Sequence, residues 1–334
     1  MHIFTNPNYN FLRWRWHAVA LSWVVILAGL GVIYTRGLPK GIEFAGGTSV
    51  IMQFDTTPSV EAVRDALNRN YPGGGQDAIV QSYGDPSQRQ VMVRVPTVGA
   101  EQGASLSASA QNVEAALRKS NLGNFNVVGT EIVGPSVGEE LTQKGIWAFV
   151  LSLIGILAYI AFRFEFSFAV GAVVATLHDV LVTFALLAFF RYDLTLNVIA
   201  ALLTVTGYST NDTIVIFDRV RENMRKMRRE SLNEVINISI NQTLGRTVIT
   251  AGTALLSALA LFVFGGEVLH GFAFTMIVGI ITGTYSSVFV AAAIVTFWRR
   301  TKASKLSTAT AAPIAAPAAA SSRKSKSQRK ARAS

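Results

Sequence analysis

Gly207-Tyr208-Ser209-Thr210-Asn211-Asp212-Thr213-Ile214-Val215-Ile216-Phe217-Asp218-Arg219-Val220-Arg221-Glu222-Asn223 places a carboxylate, Asp212, inside a long apolar helix just before that helix leaves the membrane. A charged group in hydrocarbon costs roughly 2.5–3.5 kcal/mol on insertion scales. A chain that keeps such a group uses it, and proton or ion relay is the natural use. Thr204, Tyr208, Asn211 and Asp212 share one helix face at i, i+3, i+4 spacing. Ser209 and Thr213 flank that face, and Gly207 is expected to let another helix approach closely. The bland alternative is a helix-capping or interfacially wetted acid.

The surrounding composition fits a membrane setting. Half of the 334 residues are hydrophobic, and the mean hydropathy is +0.38. There is no Cys, which excludes disulfides, thiolate catalysis and sulfur-ligated metals. The four His (2, 17, 178, 270) show no metal-ligand spacing, and no cofactor motif is present. The net charge is +10, and ten Lys and Arg lie from residue 299 onward without an acid. The tail therefore carries the whole excess, and the folded part is balanced.

Six segments have the length and apolarity of spans, near residues 18–34, 146–162, 166–190, 194–217, 248–264 and 269–298. The first has no small-x-small cleavage site after it and reads as a signal-anchor. The Lys/Arg bias places both termini inside: Arg13, Arg15, Arg163, the cluster from Arg219 to Arg246 and the tail then share the cytoplasmic side. The expected organisation is a cytoplasmic N-terminus (1–17), a first transmembrane helix (18–36), an outside domain (37–144), helices two to six (145–300) with a cytoplasmic loop at 218–246, and a disordered basic tail (301–334). That tail suits anionic lipid, or an RNA-rich partner such as a ribosome; charge alone does not separate the two.

The outside segment reads as β-α-β-β-α-β. Residues 42–54 are strand-like, Thr57 with Pro58 starts a helix, 78–83 and 90–95 are short strands, 111–121 is a second helix and 125–133 a last strand. This order predicts a ferredoxin-like sandwich. The fold class is thus an α-helical polytopic membrane protein with six transmembrane helices and one α+β ferredoxin-like domain. Residues 219–241 read as an amphipathic surface helix.

Further residues carry possible chemistry. Arg246, at the cytoplasmic mouth of the fifth span, is the natural partner for Asp212, or simply an inside arginine placed by the charge rule. His178-Asp179 lies mid-span, as a relay step or a helix–helix hydrogen bond. Phe44-Ala45-Gly46-Gly47-Thr48 and Gly134-Pro135-Ser136-Val137-Gly138 flank the domain and read as a pair of hinges between domain and membrane.

Taken in order, Phe44-x-Gly46-Gly47-Thr48, Val133-Gly134-Pro135-x-Val137-Gly138, His178-Asp179 and the 207–223 run resemble the SecF family, from about residue 10 to 300. SecF proteins are the smaller membrane subunits of bacterial SecDF protein-export complexes, of the resistance-nodulation-division superfamily. The resemblance implies a periplasmic domain, an inner-membrane location and a SecD partner with a homologous six-span half. It also implies work beside the SecYEG channel and its associated YajC and YidC, on translocating preprotein after the SecA step and driven by the proton-motive force. It implies no enzyme activity and no DNA. The family's proton-pathway Asp and Arg fall on Asp212 and Arg246, and the companion acid belongs to SecD. The alternative within the superfamily is half of a proton-driven small-molecule or lipid exporter. A second alternative is a scaffold in which Asp212 and Arg246 form a static ion pair.

Overall fold

The computed structural model describes residues 7–72, 75, 78–96, 104–164 and 166–298. The basic tail expected at 301–334 lies outside them, as do residues 1–6 of the N-terminus. Helices α1 (Phe11–Arg36) and α2 (Ile42–Ala45) come first. Then follow β1 (Gly47–Phe54), α3 (Val60–Asn70), β2 (Ile79–Tyr83), β3 (Gln90–Val95), α4 (Ala104–Arg118) and β4 (Phe125–Val133). The long helices α5 (Pro135–Arg163), α6 (Phe166–Phe189), α7 (Leu196–Lys226), α8 (Leu232–Phe264) and α9 (Gly266–Ser286) complete the chain, and α9 passes into a π-helical turn at Ser287–Ala291.

The sheet order is β2-β3-β1-β4, and every neighbouring pair is antiparallel. The inner strand β1 pairs through Val50 with Val93 on one side and Thr130 on the other. Val50, Met52, Phe54, Val91 and Val93 point to one face, where Val63 and Leu67 of α3 and Val113 and Leu117 of α4 close a buried core. Burying side chains of this size stabilises by about 1.5–3 kcal/mol each. The other face of the sheet bears Ser49, Ile51, Met92 and Arg94, which line a cavity together with Ile42 and Glu43 of α2 and with Asn197 of α7 and Val268 of α9.

Three local expectations need correction. Residues 42–45 form a helical turn, because Gly46 (φ +71°) and Gly47 (φ +132°) adopt left-handed backbone and delay the strand to residue 47. The next helix begins after Ser59, whose hydroxyl accepts from the Ala62 amide at 3.2 Å, and not after Thr57. The second helix spans Ala104–Arg118, earlier than the expected 111–121.

Among the described residues, five helices are long and apolar enough to cross a membrane: α1, α5, α6, α8 and the helix Val268–Trp298. In α7 the polar run from Thr204 to Thr213 dilutes the apolar character, so it stands outside that set although it packs against α6, α8 and α9. Inside the protein, 56% of the apolar window of α6 and 61% of that of α9 are buried, against 6% in α5 and 11% in α8. Helices α6 and α9 are therefore the centre of the bundle, and α5 and α8 turn apolar surface outward. Phe168, Phe217, Ile236, Ile240 and Val295 fill one end of the core.

The expected loop at 218–246 is not a loop. Helix α7 runs through Lys226 and α8 starts at Leu232, capped by Ser231, which leaves a turn at 227–231. The amphipathic stretch 219–241 is the two helix ends, and Val235 and Ile236 are buried in the bundle. Periodicity sees the apolar stripe but not that the helix continues straight into the membrane.

Candidate functional site

Helix α7 starts at Thr195, whose side chain accepts from the Val198 amide, and carries Ser209, Asp212 and Thr213 into the middle of the bundle. Asp212 is partly buried. Its Oδ1 accepts a hydrogen bond from Thr247 Oγ1 of α8 at 2.7 Å. Its Oδ2 is buried and has no hydrogen-bond partner among the described residues. Ser287, at the start of the π-helical turn, stands beside it and shares a 3.0 Å hydroxyl contact with Thr213. Turns of this type loosen the regular helix ladder and recur at functional sites.

Arg246 is exposed. Among the described residues, no ion pair within 4 Å joins it to Asp212. The static pair is thus not formed. It lines a cavity of about 490 Å³ together with Asn211, Arg163, Asp218 and Gln242, at the end of the bundle where α5 ends and α7 meets α8. Asn211 is exposed and opens to that cavity, directly next to Asp212 in the chain.

Asp179 is the better satisfied acid. It is 1% exposed, on α6. Its Oδ1 lies 3.0 Å from His178 Nδ1, and its Oδ2 accepts from Ser209 Oγ of α7 at 2.5 Å and Ser286 Oγ of α9 at 2.8 Å. Three helices meet on one carboxylate. His178 stacks on Tyr285, whose hydroxyl donates to the Ala18 carbonyl of α1. Consecutive serines therefore address the two acids, Ser286 at Asp179 and Ser287 beside Asp212.

Comparison with known proteins gives the family. Residues 112–301 match the family described as protein export membrane protein SecD/SecF, C-terminal, and residues 31–58 match the SecD/SecF GG motif. The chain is similar to protein translocase subunit SecF of Escherichia coli O157:H7, 40% identical over 286 residues and 86% of each chain. It is also similar to that of Rhodothermus marinus, 42% identical over 93% of this chain and 100% of the relative. The chain belongs to the SecF family. Its fold is similar to solved SecDF from Thermus thermophilus, with a TM-score of 0.78 and 35% identity, covering 88% of this chain and 39% of that one. SecDF in a super-membrane-facing form gives a TM-score of 0.65 at 36% identity, over 91% of this chain and 41% of that one. The chain thus spans about two fifths of the SecDF chains it resembles. With its family and its apolar helices, it is a multi-pass membrane protein.

In this SecF-family chain the glycine motifs meet. A Cβ on Gly138 would stand 3.2 Å from both the Gly46 amide nitrogen and the Phe44 carbonyl oxygen, and one on Gly46 would stand 3.2 Å from Pro135 Cα. Helix α5 starts at Pro135 after Gly134 and stacks on α2. A side chain at either position would press on backbone atoms of the other motif, and Gly46 also needs its positive φ. At Gly207 a Cβ would meet nothing within 4 Å, so no described helix of this chain makes the close approach expected there. Gly279 and Gly283 of α9 take that role, against Val205 and Ser209. Sequence reasoning missed Thr247, Ser286 and Ser287. The signal available for the serines was the four-residue spacing Gly279, Gly283, Ser287 on one helix.

Proposed function

We propose that this chain is a non-enzymatic SecF subunit of the Sec protein-export machinery, in which Asp212 takes up and releases protons as the membrane helices re-pack. The observation that carries the reading is the state of Asp212: one oxygen held by Thr247, the other buried without a partner, next to a cavity lined by Arg246 and Asn211. A carboxylate so placed has room to accept a proton or a new partner, and either event changes what it can hold. Asp179, saturated by three donors, is the fixed anchor, with His178 orienting it.

The finer architecture follows the same reading. Helix α7 is the sixth span, the β-α-β-β-α-β domain is a ferredoxin-like sandwich on the periplasmic side, and both termini are cytoplasmic in the bacterial inner membrane. Coupling sites in such transporters lie between two related halves. The second half comes from SecD, which supplies the companion acid toward Asn211 and Gly207. The moving periplasmic surfaces act on preprotein emerging from SecYEG, with YajC and YidC as neighbours, and Phe44, Gly46, Gly47, Gly134 and Pro135 form the hinge. The membrane potential supplies about 2.3 kcal/mol per charge per 100 mV, enough to bias a two-state element.

The test is export into inverted membrane vesicles with and without an uncoupler. The Asp212→Asn variant should lack the part of export that the uncoupler removes from the wild type. Export that stays uncoupler-sensitive in that variant would remove Asp212 from the mechanism.

A further inference from the structure

A second cavity, larger than the one at Arg246 and about 660 Å³ in volume, lies on the side of the bundle where α1 begins. Its walls come from the first turns of α1, the α7–α8 turn and the last turns of the helix ending at Trp298. The volume falls in the range of about 300–1,000 Å³ typical of small-molecule sites. Arg15 lines it, and Arg15 Nη1 is buried with no hydrogen-bond partner among the described residues. A buried guanidinium nitrogen left unpaired is costly, so the site is built for an acceptor that the described residues do not supply. Arg228 lines the same cavity, and one carboxylate, Glu230, lines it too. No ion pair of the described residues engages any of the three.

The wall also carries Ser231, Asn233 and Thr296, and its apolar part includes Met224, Leu232 and Phe297. Phe297 is 66% exposed and Trp16, under the Arg15 guanidinium at 5.6 Å, is 61% exposed. Two guanidiniums and a group of apolar side chains lining one cavity match one amphiphile, with an anionic phosphodiester at one end and acyl chains at the other. The exposed indole marks the level of the headgroups.

We propose that this cavity binds one anionic phospholipid, its phosphate held between Arg15 and Arg228 and its acyl chains lying along Met224 and Phe297. The lipid staples α1 to the α7–α8 turn. This site is separate from the basic tail and does not rest on the proton-coupling reading.

The experiment is native mass spectrometry of the full chain released from mixed bilayers of phosphatidylglycerol and phosphatidylcholine with identical acyl chains. The wild type should retain one phosphatidylglycerol in preference to phosphatidylcholine. Arg15→Gln and Arg228→Gln should each weaken that retention about tenfold, the effect of one charge-assisted hydrogen bond. Arg13→Gln removes the same charge from an exposed position two residues away and should change retention less than about twofold. All variants keep the tail, so its attraction for anionic lipid is common to them. Equal retention of both lipids by the wild type, or an equal loss in Arg13→Gln, overturns the site. Displacement of the lipid by excess inorganic phosphate also overturns it, because the ligand is then a free anion. Should Arg15→Gln fail to fold, the Arg228→Gln comparison and the wild-type lipid preference still decide.

Discussion

Arg94 of β3 and Asp193 of the α6–α7 turn, 99 residues apart, meet at 2.8 Å with side chains only 8% and 19% exposed. The same arginine donates to the Lys40 carbonyl at 3.2 Å. Beside it the Gly41 amide donates to the Leu194 carbonyl at 2.7 Å, and the Leu194 amide to the Pro39 carbonyl at 2.8 Å. The sheet face opposite α3 and α4 is thereby docked on the bundle by one largely buried ion pair and two backbone hydrogen bonds. Removing one partner of a buried pair leaves the other uncompensated, at a cost of about 3–5 kcal/mol.

Asp193→Ala should therefore loosen the dock without unfolding the domain, whose own core is separate. Hydrogen exchange at the Gly41 and Leu194 amides should accelerate at least tenfold, while the β1 and β3 amides stay protected. Unchanged exchange at those two amides would mean that packing, not the ion pair, holds the domain.

Asp179 should matter for stability before it matters for transport. Asp179→Ala leaves the Ser209 and Ser286 hydroxyls and His178 without their acceptor in a buried site. The expected loss is about 3 kcal/mol, and Asp179→Asn should lose less because the amide keeps one acceptor oxygen. Thermal unfolding in detergent, followed by tryptophan fluorescence, measures both. Equal melting temperatures for wild type and Asp179→Ala would refute the three-helix junction.

Much of the extramembrane domain was legible because strands announce themselves locally. The Gln90–Val95 and Phe125–Val133 strands agree residue for residue with the expected 90–95 and 125–133. The errors sit where local signals compete. Ile42 to Ala45 are β-formers and helix-formers mixed, and the two left-handed glycines after them decide. Thr57 and Ser59 are both good caps, and the chain used the second. Within the membrane part, Asp212 and Asp179 stood out because ionisable groups in apolar helices are costly. Their partners did not, since a serine on a distant helix looks like any small residue until packing sets it against a carboxylate. Arg246, read either as the partner of Asp212 or as an inside arginine placed by the charge rule, stands on the wall of the adjoining cavity.

The glycines separate internal packing from partner contact. A Cβ at Gly279 would lie 2.3 and 2.4 Å from the two Val205 methyl carbons, so Gly279→Ala must push α9 away from α7. We expect a loss of about 1–3 kcal/mol, read as a lowered melting temperature. Gly207 has open space around it. Gly207→Ala should keep or raise the melting temperature of the isolated chain, because alanine is the better helix former by about 1 kcal/mol. If SecD packs on this face, co-purification with SecD should fall for Gly207→Leu. A Gly207→Leu chain that recovers as much SecD as the wild type would move the subunit junction elsewhere.

The central claim is that Asp212 carries protons, and proteoliposomes containing this chain and its SecD partner test it most directly. With an imposed membrane potential and a trapped pH dye, the wild type should pass protons at a rate that Asp212→Asn lowers to the leak of empty liposomes. Asp212→Asn vesicles that acidify as fast as the wild type would contradict the account.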